Sequence, residues 1–143
     1  MSNKKQLSTF FVNGYYFGVD VLCVQEVLKY QNMTRVPLAP DMLQGLINLR
    51  GQIVTAIDMR RRMGFPIRDE QTQPMNVVVR TSDAPVSLLV DEIGDVLEVD
   101  DREFEAPPAT LGQLGRDLVK GVYKLQGKLL LVLNTEMAVT IPG

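Results

Sequence analysis

Short apolar runs broken by turn residues, rather than long stretches of 3.6-residue periodicity, organise this chain. Phe10-Phe11-Val12 and Tyr15-Tyr16-Phe17 flank Asn13-Gly14. Both central residues of a tight type I′ hairpin need positive φ, and Asn-Gly tolerates that best, so the pattern predicts a hairpin here. Residues 45–57 read as two strands turning at Arg50-Gly51, Val77-Val78-Val79 and residues 86–90 as two more, and residues 121–133 as a last hairpin turning at Gln126-Gly127. Helices are predicted to be brief. Val24, Val27 and Leu28 repeat at i, i+3 and i+4, which predicts a helical turn or two over 22–29, with one further strand as the alternative. Asp41 is positioned to cap a short helix through Leu43. Asp58 is positioned to cap another over 59–63, closed by Gly64, and Asn134 a third through Val139. The adjacent prolines of Glu105-Ala106-Pro107-Pro108 mark a loop.

The pattern repeats within the chain. At an offset of 69, Val19, Val24, Glu26 and Leu28 fall on Leu88, Ile93, Asp95 and Leu97; at an offset of 76, Gly45, Leu49, Gly51 and Asp58 fall on Gly121, Leu125, Gly127 and Asn134. The change of offset is an insertion of seven residues, placed around Pro107-Pro108. Order is kept across both blocks, and glycines recur at turn positions, so the repeat reads as a duplication. An all-β chain of two similar small barrels with short helices follows. The expected division is a first barrel over 15–65 and a second over 66–143, the latter completed by the N-terminal strand 7–13. Each barrel alone is near the size at which a core is marginal, so the two should share an apolar seam.

Composition narrows the chemistry. With 143 residues, 45% hydrophobic and 22% charged, the chain can bury a core. It contains no histidine, which removes imidazole general bases, Ser-His-Asp and Cys-His constellations and phosphohistidine relays. The single Cys23 allows no internal disulfide and no thiolate metal cluster, and fits a reducing compartment. A formal net charge of −2 argues against nucleic acid. The longest aliphatic run, residues 129–133, is too short to span a bilayer, and Asn13-Gly14 and Asp20 interrupt the weak signal-peptide pattern, so a cytoplasmic protein is expected. No enzymatic activity and no cofactor are expected.

Surface recognition is what remains. Arg60-Arg61-Arg62 is the densest basic cluster, read as a solvated helix face or as a contact for an acidic partner. On the second reading the chain would be a small nucleic-acid- or ribosome-associated binding module. Eight carboxylates between Asp91 and Glu105, opposed only by Arg102, read as a solvated acidic face. Asn48 and Arg50 share one parity, and Arg50 beside Gly51 would present a planar five-donor fork suited to a carboxylate. Glu26, on the short helix predicted at 22–29, is the candidate partner. The second half has Asp95 and Gln126 at the corresponding positions, so the cation occurs in one half only. Fold maintenance does not require that asymmetry, and recognition would explain it.

Val24-Gln25-Glu26, Thr34-Arg35-Val36-Pro37, residues 45–54 with the Asn48-Leu49-Arg50-Gly51 core, Asp58-Met59-Arg60 and residues 89–96 resemble, in order and spacing, the CheW-type coupling proteins of bacterial chemotaxis. The resemblance runs from about Leu7 to Val139. It implies two intertwined SH3-like five-stranded barrels and a non-catalytic adaptor. That adaptor would join the regulatory domain of a CheA-type histidine kinase, itself of similar fold, to the cytoplasmic tip of methyl-accepting chemoreceptors. It implies no nucleic-acid partner, and the membrane only indirectly, through receptor arrays at its inner face. Glu26, Asn48, Arg50 and Gly51, with Val24 and Gly45 nearby, would form the coupling surface. The groove between the barrels would receive the receptor tip, and the barrel ends the kinase. Met59 replaces a frequent leucine, and the arginine triplet is unusually basic. Twitching and other chemosensory pathways use the same module.

Overall fold

In a computed structural model, which describes residues 3–69 and 71–140, ten strands form two five-stranded sheets with three short α-helices. The strands are β1 (Lys4–Val12), β2 (Tyr15–Asp20), β3 (Val24–Leu28), β4 (Leu43–Leu49), β5 (Gln52–Asp58), β6 (Met75–Val79), β7 (Val86–Val90), β8 (Glu92–Asp100), β9 (Val119–Leu125) and β10 (Lys128–Leu133). The helices are α1 (Met59–Met63), α2 (Gly112–Leu118) and α3 (Thr135–Val139). One sheet has the order β8-β1-β2-β10-β9 and the other β3-β6-β7-β5-β4. The expected pair of five-stranded units with short helices is therefore present.

The turns follow their residues. Asn13 and Gly14 have φ of 51° and 81°, and Arg50 and Gly51 have φ of 51° and 86°, so both hairpins close with two left-handed residues. Asp58 accepts from the Arg60 amide at 3.1 Å to cap α1, and Gly64 ends it at φ 78°. Asn134 caps α3 through the Met137 amide at 3.2 Å.

Register makes the duplication structural. Phe10 lies opposite Phe17 in β1–β2, as Val79 lies opposite Val86 in β6–β7. Asn48 faces Ile53 as Lys124 faces Leu129, and the parallel pairs Thr55–Val86 and Leu131–Phe17 correspond in the same way. The repeats are β1–β5 and β6–β10, but each sheet draws on both. The repeat β1–β5 gives β1 and β2 to one sheet and β3, β4 and β5 to the other; the second repeat does the reverse. The division expected at 15–65 and 66–143 therefore does not describe the sheets. Sequence similarity marks the duplicated unit, whereas hydrogen bonding exchanges its first two strands.

Exchange builds one core from two sheets. Phe10, Phe17 and Leu131 of one sheet pack in a single cluster with Ile57, Val77 and Leu88 of the other, and the Phe10 and Phe17 rings stack at 5.9 Å. Each sheet keeps a smaller core on its opposite face, around Ile47, Val54 and Val78 in one and Leu7, Tyr123 and Leu130 in the other. Central strands are thus apolar on both faces, which is why Val77-Val78-Val79 shows no alternation.

Two expectations are corrected. Residues 24–28 form the alternative strand and not the predicted helix: a 3₁₀ turn at Val21–Cys23 leads into β3, so Glu26 sits on a strand. The register of β3 on β6 shifts between Val24 and Glu26, and this bulge imitates helical spacing by resetting the alternation. Asp41 caps no helix; the Leu43 amide bonds the Pro40 carbonyl at 2.9 Å and β4 starts there. The expected loop around Pro107-Pro108 is present, and α2 follows it in a stretch for which no element was expected.

Separating the repeats strips β3 of its neighbour β6 and β5 of its neighbour β7. Fragments 1–66 and 67–143 are expected to be unfolded alone and to regain strand signal when mixed, as measured by circular dichroism.

Candidate functional site

The β3 bulge decides where Glu26 points. Val24 and Glu26 have the same parity, so an unbroken strand would send both into the shared core. With the bulge, Val24 still packs against that core, while Glu26 lies opposite Val78, which faces the smaller core. The carboxylate thus leaves the apolar interior and reaches the tip of the β4–β5 hairpin. There Arg50 Nη2 forms an ion pair with Glu26 Oε2. The arginine side chain remains 73% exposed and the glutamate side chain only 18%.

The remaining expected site residues shape this corner. Asn48 Oδ1 accepts from the Gly51 amide at 2.9 Å and so folds back over the turn. Gly51 has open space around it, so its positive φ, and not crowding, favours glycine there. Gly45 is a packing position: a Cβ would lie 2.7 Å from the Thr34 carbonyl oxygen, where residue 34 bridges to Leu46 through bonds of 2.9 and 2.8 Å. Glu26 and Arg50 are brought together as the sequence implied. Val24 and Gly45 support their strands, and Asn48 and Gly51 set the turn.

The arginine triplet is not a free basic face. Arg60 donates to Asp91 from Nε at 3.0 Å and from Nη2 at 2.8 Å, and to the Pro66 carbonyl at 3.0 Å. Arg62 donates to the Met137 and Ala138 carbonyls at 2.7 and 3.1 Å. Arg61 Nε lies 3.8 Å from Asp58 Oδ2, so each of the three guanidinium groups has an internal partner, which removes the main support for the nucleic-acid alternative. The acidic run is likewise partly committed. Asp100 accepts from Arg102 at 2.7 Å, and these hydrogen bonds bring its carboxyl down to about 2. Lys124 lies 3.4 Å from Glu105. Among the described residues, no group of three or more Asp, Glu or Cys side chains is placed to hold a metal ion.

Sequence reading missed Arg68. Its side chain is 8% exposed and bridges Asp58 at 2.5 Å, Asp91 at 2.8 Å and the Leu89 carbonyl at 3.0 Å. Asp91 also accepts from the Asn13 amide at 2.7 Å. The cluster therefore ties the β1–β2 turn of one sheet to α1 and β7 of the other. Nothing in the local pattern of residues 65–74 marks Arg68, because its partners are 10 and 23 positions away. Burial pushes the Asp91 carboxyl up, but the Arg60 hydrogen bonds, the Asn13 amide and the charge of Arg68 outweigh it and hold the carboxyl below its ordinary value.

Removing one partner of a buried pair strands the other, so Arg68→Met should cost about 3–5 kcal/mol in urea unfolding. Arg50→Ala, at an exposed pair, should cost about 0–1 kcal/mol in the same measurement. A carboxyl with a lowered folded pKa stabilises fully above its unfolded value and loses that contribution as pH falls through the folded one. Thermal stability should therefore decline below about pH 4 more steeply in the wild type than in Asp91→Asn, as read by calorimetry.

Three comparisons place this geometry. Residues 6–141 match the family model described as CheW-like domain. The chain is 27% identical over 132 residues to a chemotaxis protein CheW of Rhizobium meliloti, covering 92% of this chain and 85% of that one. It is 28% identical over 130 residues to a chemotaxis protein CheW of Bacillus subtilis, covering 91% and 83%. The crystal structure of the scaffolding protein TtCheW from Thermoanaerobacter tengcongensis superposes with a TM-score of 0.87 at 27% identity, over 97% of this chain and 94% of that one. With nearly its whole length matched in both sequence and strand arrangement, this chain belongs to the CheW-like domain family.

Proposed function

We propose that the chain is a non-catalytic adaptor of a bacterial chemosensory array, coupling the cytoplasmic tip of chemoreceptors to the regulatory domain of a CheA-type histidine kinase. It would work in the cytoplasm and meet the membrane only through receptors. The observation that carries this reading is the Glu26–Arg50 corner. The pair joins two elements of one sheet, yet the guanidinium is mostly exposed, so it contributes little to stability. A rigid tight turn and a carboxylate hold the arginine at a fixed angle toward solvent, an arrangement suited to meeting a partner. The other half of the duplication lacks the cation.

The receptor contact is assigned to the apolar side chains of the edge strands. Val27 of β3 and Val96 of β8 occupy corresponding positions in the duplication, and both stay exposed, as does Leu22 just before β3. An amphipathic helical tip would cover such residues by laying its apolar face along them. The family match and the names of its relatives support a chemotaxis scaffold in general; the assignment of receptor and kinase to these surfaces is our reading.

Arg50→Glu is expected to abolish receptor-dependent activation of the kinase in a reconstituted phosphorylation assay while the melting temperature stays within about 2 °C. Glu26→Ala should reduce retention of the kinase regulatory domain in a pull-down. Full activation by Arg50→Glu would remove this corner from the coupling surface.

A further inference from the structure

The sheet that does not carry the Glu26–Arg50 corner has a recess of about 340 Å³, a size within the range of sites that hold small molecules. Much of its lining is apolar. Leu7 of β1, Tyr123 of β9 and Leu133 of β10 reach it from nearly complete burial. Phe104, just after β8, adds a second aromatic ring, 5.3 Å from that of Tyr123 and tilted 55° to it. Gly121 lies behind the Phe104 ring, and a Cβ there would collide with it. The ring therefore rests directly on backbone, which fixes this side of the recess.

The polar groups of the lining divide into engaged and free. Asp101 pairs with Lys5 at 3.5 Å and accepts from the Tyr123 hydroxyl at 3.4 Å, and Asp20 accepts from the Leu22 amide at 2.9 Å. Lys120 is exposed and has no hydrogen bond or ion pair among the described residues. It is the extra residue of the bulge between β9 and β10, which sets it beside Leu133, two positions from Thr135. Thr135 is only 9% exposed, and its hydroxyl has no partner among the described residues. No side-chain polar atom sealed from solvent lacks a partner there, so the open side of this hydroxyl is the recess. The other repeat is built differently. At the offset of 76, Lys120, Tyr123 and Thr135 correspond to Gln44, Ile47 and Met59, and Met59 is wholly buried in the shared core. The duplicated fold is satisfied by long apolar side chains at two of these positions, so it does not itself require the free ammonium and hydroxyl.

We infer that this recess binds a small monocarboxylate with an aliphatic chain. The chain packs against Leu7, Phe104 and Leu133, and the carboxylate accepts hydrogen bonds from the Lys120 ammonium and the Thr135 hydroxyl. Charge selects the anion. Both carboxylates of the lining already have donors, so a cationic headgroup would find no free acceptor pair and would meet Lys120 as a like charge. A carboxylate instead supplies acceptors to the two groups that have none. An uncharged apolar ligand would fill the same space but leave both donors unpaired.

Titration of the full chain with sodium octanoate tests this, with calorimetry reading affinity and alkylation of Cys23 by N-ethylmaleimide reading location. Cys23 is the only cysteine of the chain and lines the recess. Octanoate should bind saturably, one to one, and slow the alkylation in proportion to occupancy. Hexanoate, shorter by two methylenes, should bind about fifteenfold more weakly. Octylamine, with the same chain and the opposite charge, should bind at least about tenfold more weakly than octanoate. Lys120→Gln should lose about tenfold in octanoate affinity at an unchanged melting temperature, because its ammonium has no partner to lose. Thr135→Met, which carries the residue of the first repeat, should abolish binding. Absence of saturation in the millimolar range overturns the inference, as does wild-type affinity in a folded Lys120→Gln. Octylamine matching octanoate also overturns it, leaving apolar contact alone. Saturable binding without protection of Cys23 does so as well, because it puts the carboxylate elsewhere on the molecule.

Discussion

Two five-stranded sheets of this size have too little interior to be stable separately, and the exchange of the first two strands of each repeat resolves that constraint. Phe10 and Phe17 belong to one sheet by hydrogen bonding and to the shared core by packing. Every central strand consequently has two apolar faces, one toward the common core and one toward the smaller core of its own sheet. The surface features follow from this arrangement. Hairpin tips, edge strands and the connection between β3 and β4 are what lies outside the three cores, and all the residues argued to meet partners sit there.

The bulge in β3 shows how the same constraint positions chemistry. A carboxylate at the parity of Val24 would be driven toward the shared core, where an unpaired charge is costly. One extra residue turns Glu26 to the face on which Arg50 arrives. The corresponding strand of the other repeat, β8, has its own register shift opposite Ser8 and Phe10, but carries Asp95 there, and the facing hairpin has Gln126 in place of the arginine. Duplicated backbone geometry has been kept on both sides while the charged pair has been placed on one. Scaffold and recognition are thus separable in this fold.

Arginines play opposite roles in the two halves of the charge inventory. Arg60 and Arg68 are spent on Asp58 and Asp91, binding the turn of one sheet to α1 and β7 of the other. Arg50 and Arg35 remain at the surface. Clustered basic residues in the sequence therefore pointed to the wrong arginines for recognition: the triplet is largely internal glue, and Arg50, isolated in the sequence at a turn, keeps its guanidinium mostly exposed.

What the sequence determined by itself was set by short-range physics. Asn13-Gly14 and Arg50-Gly51 specify their turns through positive φ, Asp58 and Asn134 specify helix starts through their caps, and the offsets of 69 and 76 specify the duplication. The likeness of the Asn48-Leu49-Arg50-Gly51 stretch and its flanks to CheW-type proteins was legible for the same reason, since a tight turn leaves little freedom in spacing. Tertiary structure alone decided which strands share a sheet, because hairpins pair locally but exchange between repeats is a matter of long-range hydrogen bonding. It alone decided that residues 24–28 are a bulged strand, since a bulge and a helical turn give the same spacing of apolar residues. And it alone brought Arg68 to two distant carboxylates, because burial of a charge is dictated by partners that only folding brings within reach.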